Sequence, residues 1–412
     1  PVWQAVRVKP IDAIRPLYHK AVPAGRRSRK VHSHGNTFVR MPLHNLRRSP
    51  WRSGFTMVSV ALAVTVLVSF LGLIDSIFGT VDTAEDEAIG NVPDRMVVSL
   101  ASFSMESAPD VVAISNADSV VAAEPTLRLG GQLSAGAESF PAILEIMDLD
   151  EGLWRPSLVE GTLTTEPGLV LAAEAAADLD VTVGDTVVLR HPQRSGLTDF
   201  VFVDTEFPVM GIHPYPIRNF TYLDAAHAGL MGLDGIANMV QVLPDPALAN
   251  IDVQRELFAI PGVASVQDVS ATNQSVRDQL SEFTGIIGTF VVPVVLLTVL
   301  IAFLTASINL DARSREHATM FAFGVRVRTA LAMAVTESSI IGAVATVLGV
   351  IGGIGALEWM NRALFSSTLP DIGIEVTLQV ATVVTVVILG VVAVAVAPLF
   401  TARRMRRMDL PG

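Results

Sequence analysis

Cysteine is absent from all 412 residues, which excludes a disulfide framework, a thiol nucleophile and thiolate metal sites. Lysine is nearly absent. Lys9, Lys20 and Lys30 are the only three, and none follows a glycine. A Gly-x-x-x-x-Gly-Lys-Ser/Thr phosphate loop, whose lysine must reach the β- and γ-phosphates, is therefore excluded. The eight histidines show no His-Glu-x-x-His or comparable ligand spacing, and His32 and His34 sit in a basic, solvated leader. No Gly-x-Ser-x-Gly nucleophile elbow occurs. The residues give no catalytic constellation, no cofactor site and no metal site, so the chain is expected not to be an enzyme. Charge is scarce as well, at 17% of residues, while half the residues are apolar and the mean hydropathy is +0.50. A soluble surface needs more charge than this.

The charge that is present is segregated. Residues 1–53 hold 12 Lys/Arg against one acid, Asp12, whereas residues 80–283 hold 8 Arg, no Lys and 31 Asp/Glu. Four apolar runs each reach the roughly 20 residues that a ~30 Å hydrocarbon core requires. The first spans 54–79, with no charge between Arg52 and Asp75; the second is 284–310; the third, 329–357, contains the single acid Glu337; the fourth is 376–399. Arginines mark the cytoplasmic side. They border the first run, fill the 311–328 loop (Arg313, Arg315, Arg326, Arg328) and cluster in the 400–412 tail (Arg403, Arg404, Arg406, Arg407). Residues 80–283 and the short 358–375 loop then lie outside. The expected architecture is a membrane α-helical protein of four transmembrane helices carrying an α+β extracytoplasmic domain.

Within that domain, Arg95–Leu100, Thr186–Arg190 and Phe200–Val203 read as strands. Leu169–Asp180, rich in Ala and followed by Val-Thr-Val-Gly-Asp at 181–185, reads as a helix and a turn into a strand. There is a weak internal repeat: Pro1-Val-Trp-Gln-Ala5-Val-Arg7 with Asp12 lines up with Pro398-Leu-Phe-Thr-Ala402-Arg-Arg404 with Asp409. The chain is expected to continue something longer, beginning where another copy would end.

Several pieces, in order, resemble the FtsX/MacB-type permeases of bacterial ABC systems. They are Leu43-His-Asn-Leu-Arg-Arg48 before the first helix, Gly168-Leu-Val-Leu-Ala-Ala-Glu174 with Ala175 to Asp185, Ile260-Pro-Gly262-Val, Arg313-Ser-Arg315-Glu316 with Phe321-Ala-Phe-Gly324, Glu337, and the tail Pro398 to Arg404. His317 and Ala318 depart from the family's Ile-Gly after the Arg-Glu pair. The resemblance implies a MacB-like periplasmic core domain outside, and a permease that works with a separate ABC ATP-binding subunit carrying the ATP and magnesium. It also implies that this chain is the second half of a duplicated permease, working with a second permease half or copy. Export or extraction of a lipid, lipoprotein or peptide-like substrate is the expected function. The alternatives are a transmembrane regulator that activates an extracytoplasmic cell-wall hydrolase or sensor without transport, or a membrane-anchored binding domain with no ATPase. An extracytoplasmic protein is a further expected partner, the bilayer is the surrounding medium, and no nucleic acid is expected.

Met320, Phe321 and Phe323 are apolar residues in a short arginine-bracketed loop. From the residues alone they either lie on the membrane interface as an amphipathic helix or dock into a partner. The resemblance favours docking into an ATPase groove, with Arg315 and Glu316 as anchors beside Met320, Phe321, Phe323 and Gly324. Glu337 is either a functional intramembrane acid or an interfacial group paired with Arg326 or Arg328. Ser338, Gly342, Ala345, Gly349 and Gly353 form a small-residue stripe on the third helix, suited to packing within the chain or against a second permease half. Asp75 reads as interfacial, and Pro293 as a kink or a tolerated helix proline. The acid excess of residues 80–283 either favours a basic partner or simply keeps the domain soluble.

Overall fold

A computed structural model describes residues 50–196, 199–311, 326–365 and 370–408, together with Thr319 and Phe323. Its outer domain carries two lobes that share one long strand. The strands are β1 (Met96–Met105), β2 (Val120–Ala135), β3 (Glu138–Met147), β4 (Glu160–Gly161), β5 (Leu169–Ala172), β6 (Thr186–Arg194), β7 (Phe200–His213), β8 (Phe220–Asp224), β9 (Ile236–Pro244) and β10 (Val263–Asp268).

In the first lobe β10, β1, β9 and the first half of β2 run antiparallel in that order. Helices α2 (Pro109–Ser115) and α4 (Asn250–Phe258) contribute Val111, Ile114, Val253 and Leu257 to a core with Met96, Val98, Val240 and Val242. In the second lobe the pairings run β2 to β3, β8, β5, β7 and β6, and β6 returns to β2 through Gln132 to Ser134. This circuit is a closed six-stranded barrel, which leaves no open edge. Leu133, Leu144, Leu169, Leu171, Leu189 and Phe207 fill it.

Leu169–Asp180 is not one helix. Leu169, Val170, Leu171 and Ala172 are all buried and pair with β7 and β8, and only Ala173–Asp178 is helical, as α3. A short apolar run between two strands satisfies its backbone in the sheet, and the helix-favouring Ala and Glu act only where the chain leaves it. The turn after it is present. Gly184 has φ +98, a conformation glycine adopts without strain, and Asp185 Oδ2 accepts from the Thr182 N–H at 2.8 Å.

Four long helices lie below: α1 (Pro50–Ile89), α5 (Val269–Asp311), α6 (Val327–Met360) and α7 (Val380–Met408). Among the described residues three are long and apolar enough to cross a membrane, namely Ser53–Ile89, Gly288–Thr305 and Arg328–Ala363; Val380–Val396 is a shorter apolar helix. The expected segment limits at 79, 284 and 376 follow the onset of charge or apolarity rather than the ends of the helices. α1 continues ten residues past 79 through acids that helices tolerate, and α5 starts at Val269 and runs unbroken through Pro293. Conversely, residues 376–379 carry no regular structure and α7 begins only at Val380. α1 packs on α5 and α6, and α7 packs on α6 and α5. Val60, Val64, Leu67, Ala302, Ala345, Val386 and Val394 form their common core.

Candidate functional site at the membrane junction

Three separate contacts tie the outer domain to the helices. The first is at the top of α1. Glu87, only 5% exposed, accepts from the Ser157 N–H at 2.9 Å and from the Ser157 hydroxyl. Arg95, just beyond the helix, donates to the Ala88 carbonyl at 2.6 Å and to Gln241 Oε1 at 2.7 Å. The end of α1 is thus held by both lobes, through Ser157 of the barrel side and Gln241 of β9.

The second contact is the start of α5. Asp268 Oδ1 accepts from the Ala271 N–H at 3.0 Å, an N-cap that satisfies one of the helix's orphan donors, and Asp268 Oδ2 accepts from Asn250 at 2.7 Å. The Val269 N–H donates to the Arg95 carbonyl at 3.1 Å, and the Ser270 hydroxyl donates to that of Pro93. Below, Arg277 of α5 bridges Asp82, at 2.8 Å, and Glu85 of α1. The hydrogen bond to Glu85 and its charge raise the Arg277 pKa above its ordinary value.

The third contact joins the barrel to the segment between α6 and α7. Arg218 donates to Asp178 Oδ2 at 2.6 Å and to Asp371 Oδ1 at 3.0 Å, and lies 4.6 Å over the Phe140 ring. Burial opposes its charge, but the carboxylates of Asp178 and Asp371 outweigh that and hold its pKa above the ordinary value. Main-chain bonds run alongside: Arg218 N–H to Asp371 O at 3.1 Å and Gly373 N–H to Pro216 O at 2.7 Å. The segment then returns to α1, where Asp75 Oδ2 accepts from the Gln379 N–H at 3.0 Å and Ser76 Oγ from the Thr377 N–H at 3.1 Å. Asp75 therefore anchors the start of α7 with a negative charge at a helix N-terminus.

The small-residue stripe divides between two neighbours. A Cβ on Gly349 would stand 2.6 Å from Val64 Cβ, and one on Gly353 2.5 Å from Val68 Cβ, so the α1 and α6 backbones approach as only glycine permits. Thr65 Oγ1 donates to the Gly349 carbonyl and Ser69 Oγ to that of Gly353, each at 3.2 Å. Gly342 instead faces Val394 of α7, Ala345 is fully buried, and Ser338 is buried one turn before Gly342. Glu337, 8% exposed, is also buried in α6, about two and a half turns beyond Arg328 and three beyond the N-cap Arg326. Of the expected coupling residues, Arg315, Glu316, Met320, Phe321 and Gly324 lie outside the described residues, as do 1–49 with the repeat and the basic segment. Phe323 is 84% exposed in a turn and donates its N–H to Thr319 O at 3.2 Å.

Among the described residues no three His, Asp or Glu are grouped as a metal site. His213 is a satisfied core residue. Its Nδ1 accepts from the Tyr215 N–H at 3.2 Å, which makes Nε2 the donor to Phe220 O at 3.1 Å, and burial lowers its pKa from 6.5 to about 4. Nothing local in the sequence marks Asp75, Glu87, Ser157, Arg218 or Asp371, whose partners are 40 to more than 300 residues away.

Residues 53–232 match the MacB-like periplasmic core domain, and residues 288–410 match the FtsX-like permease C-terminal family. The chain belongs to the FtsX/MacB-type permease family. Permeases of this family are the membrane components of ABC transporters and work with ATP-binding subunits. Among solved structures, the chain is similar to the periplasmic region of MacB from Actinobacillus actinomycetemcomitans. Identity there is 14%, over 46% of this chain and 97% of that one, with a TM-score of 0.32. It is also similar to the extracellular domain of the noncanonic ABC-type transporter YknZ from Gram-positive bacteria, at 13% identity over 42% and 97%, with a TM-score of 0.30. No curated protein matches.

Proposed function

We propose that the chain is the transmembrane subunit of an ABC machine of the FtsX/MacB type, which turns ATP hydrolysis by a separate cytoplasmic subunit into movement of its outer domain. ATP and magnesium belong to that partner, and this chain performs no catalysis. α7 serves as the fourth span, the arginine-rich borders face the cytoplasm, and the acidic domain faces outward. Export or extraction of a lipid, lipoprotein or peptide-like substrate is the associated activity.

The observation that carries this reading is the continuity of α1 and α5, which at 40 and 43 residues extend well beyond a bilayer and end inside the hydrogen-bond network of both lobes. A rigid helix transmits a tilt or shift along its length, and the Arg218 clasp on Asp371 links the same domain to α6 and α7. A second reading is a regulator of an extracytoplasmic cell-wall hydrolase. The exposed Phe103 and Phe200 favour it, since their rings meet 6.4 Å apart at strand ends remote from the junction and suit a protein partner.

The cysteine-free chain makes a direct test simple. Arg218→Cys with Asp371→Cys, reconstituted with an ATP-binding subunit that pairs with it, should lose most ATP turnover on oxidation and regain it on reduction. Equal turnover in the locked and open forms would defeat the mechanical link.

A further inference from the structure

A cavity of about 190 Å³ opens where the two lobes meet the roots of α1 and α5. Its wall includes Arg95, Arg128, Glu145, Trp154, Tyr222 and Asn273. Two of the eight arginines of the acidic domain therefore stand at one small cavity, with a single carboxylate between them. Glu145 is already engaged by Arg128 at 3.0 Å. Arg95 is 6% exposed and, among the described residues, has no carboxylate within ion-pair distance. It rests 4.4 Å over the Trp154 ring and is otherwise satisfied only by the neutral oxygens of Ala88 and Gln241. A buried cation with no carboxylate in ion-pair contact is costly, and burial lowers the Arg95 pKa to about 10 against the weaker opposing pull of Glu145 and Glu124, which still leaves it charged at neutral pH.

The hydrogen-bond balance points the same way. Arg95 Nε, Arg128 Nε, Trp154 Nε1 and Asn273 Nδ2 are buried without an acceptor. Every unpartnered buried polar atom of the cavity wall, among the described residues, is thus an N–H donor. Buried donors are almost always paired, so a set of one kind calls for a group that only accepts. The space holds about six waters at ~30 Å³ each, enough for one oxyanion and the few atoms next to it.

We propose that this cavity binds a single oxyanion, a carboxylate or phosphate belonging to a larger molecule, with Arg95 as its counter-cation and Trp154 as its flat wall. The site draws on Ala88 of α1 and on Val269 and Asn273 of α5, so an occupant touches the roots of both stalk helices. The assignment stands whether or not an ATPase drives the chain, and its test uses none.

The full chain is placed in phosphatidylcholine nanodiscs with Trp3, Trp51 and Trp359 replaced by Phe, leaving Trp154 as the sole tryptophan. Inorganic phosphate, glycerol 3-phosphate and N-acetylglycine are titrated at constant ionic strength against chloride. The expected result is a saturable change in Trp154 emission with at least one oxyanion and none with chloride. Arg95→Gln should weaken that binding about tenfold or more, the scale of a lost charged hydrogen bond. Because Arg95 also holds Ala88 and Gln241, Asn273→Ala serves as a second variant that keeps those bonds and should still weaken binding. Preference for the phosphates identifies a lipid headgroup as the source, and preference for N-acetylglycine identifies a peptide carboxylate. A response that does not saturate, or one unchanged in both variants, means the cavity holds only water and overturns the proposal.

Discussion

The barrel of the outer domain and the helices beneath it are held together by different means. In the barrel Leu133, Leu144, Leu171 and Leu189 are fully buried, and their removal from water is the dominant stabilising contribution. Between α1 and α6 the contact rests on Gly349 and Gly353, which are positioned so that backbones meet and Thr65 and Ser69 reach across to carbonyls. Lipid tails are as apolar as leucine, so helices gain nothing by hiding large side chains from them. Close fit takes the place of apolar volume.

Substitutions of opposite sense separate the two regions. Leu189→Ala in the barrel should cost about 2–5 kcal/mol, as a cavity in a rigid core does, measured by chemical unfolding of the outer domain within the whole chain. A loss under about 1 kcal/mol would mean that the barrel is not the cooperative unit described.

The barrel side also holds the pH response. His213 has a folded pKa of about 4 against an ordinary 6.5, so the unfolded chain takes up the proton first as pH falls. Its contribution is complete above about pH 6.5 and shrinks as pH drops to about 4, by as much as ~3 kcal/mol. In His213→Gln the stability profile over that window should flatten. An unaltered slope would contradict the neutral tautomer bound to Phe220.

Adding volume is the complementary test below. Gly353→Val should destabilise the α1 and α6 pair by about 1–3 kcal/mol through overpacking against Val68, read as reduced resistance to denaturing detergent. The same change at Gly355, which has open space around its Cβ position, should have little effect. Equal losses at both positions would show that helix propensity, and not close approach, is being measured.

Much of this architecture was legible beforehand. Long neutral runs bordered by arginine can satisfy their backbone in lipid only as helices, and the acid-rich segment between the first two could not enter it. The strands at Arg95–Leu100, Thr186–Arg190 and Phe200–Val203 were visible from their β-branched residues and lie within or at the edge of β1, β6 and β7. Leu169–Ala172 was not, because a four-residue apolar run has no periodicity to distinguish strand from helix. The junction was the least legible part. Arg218 and Asp371, or Asp75 and Gln379, are ordinary residues until the fold brings them within about 3 Å.

Sequence by itself marked the segments apolar enough for a membrane, because transfer of charge or bare backbone into hydrocarbon depends on composition and length alone. It also determined the family, whose marks lie in local runs of residues. The tertiary structure decided which polar groups meet where the long helices join the outer domain, and that Arg95 is buried with no carboxylate in ion-pair contact. Such facts depend on separations of 70 to 300 residues closed by packing, and no local pattern encodes them.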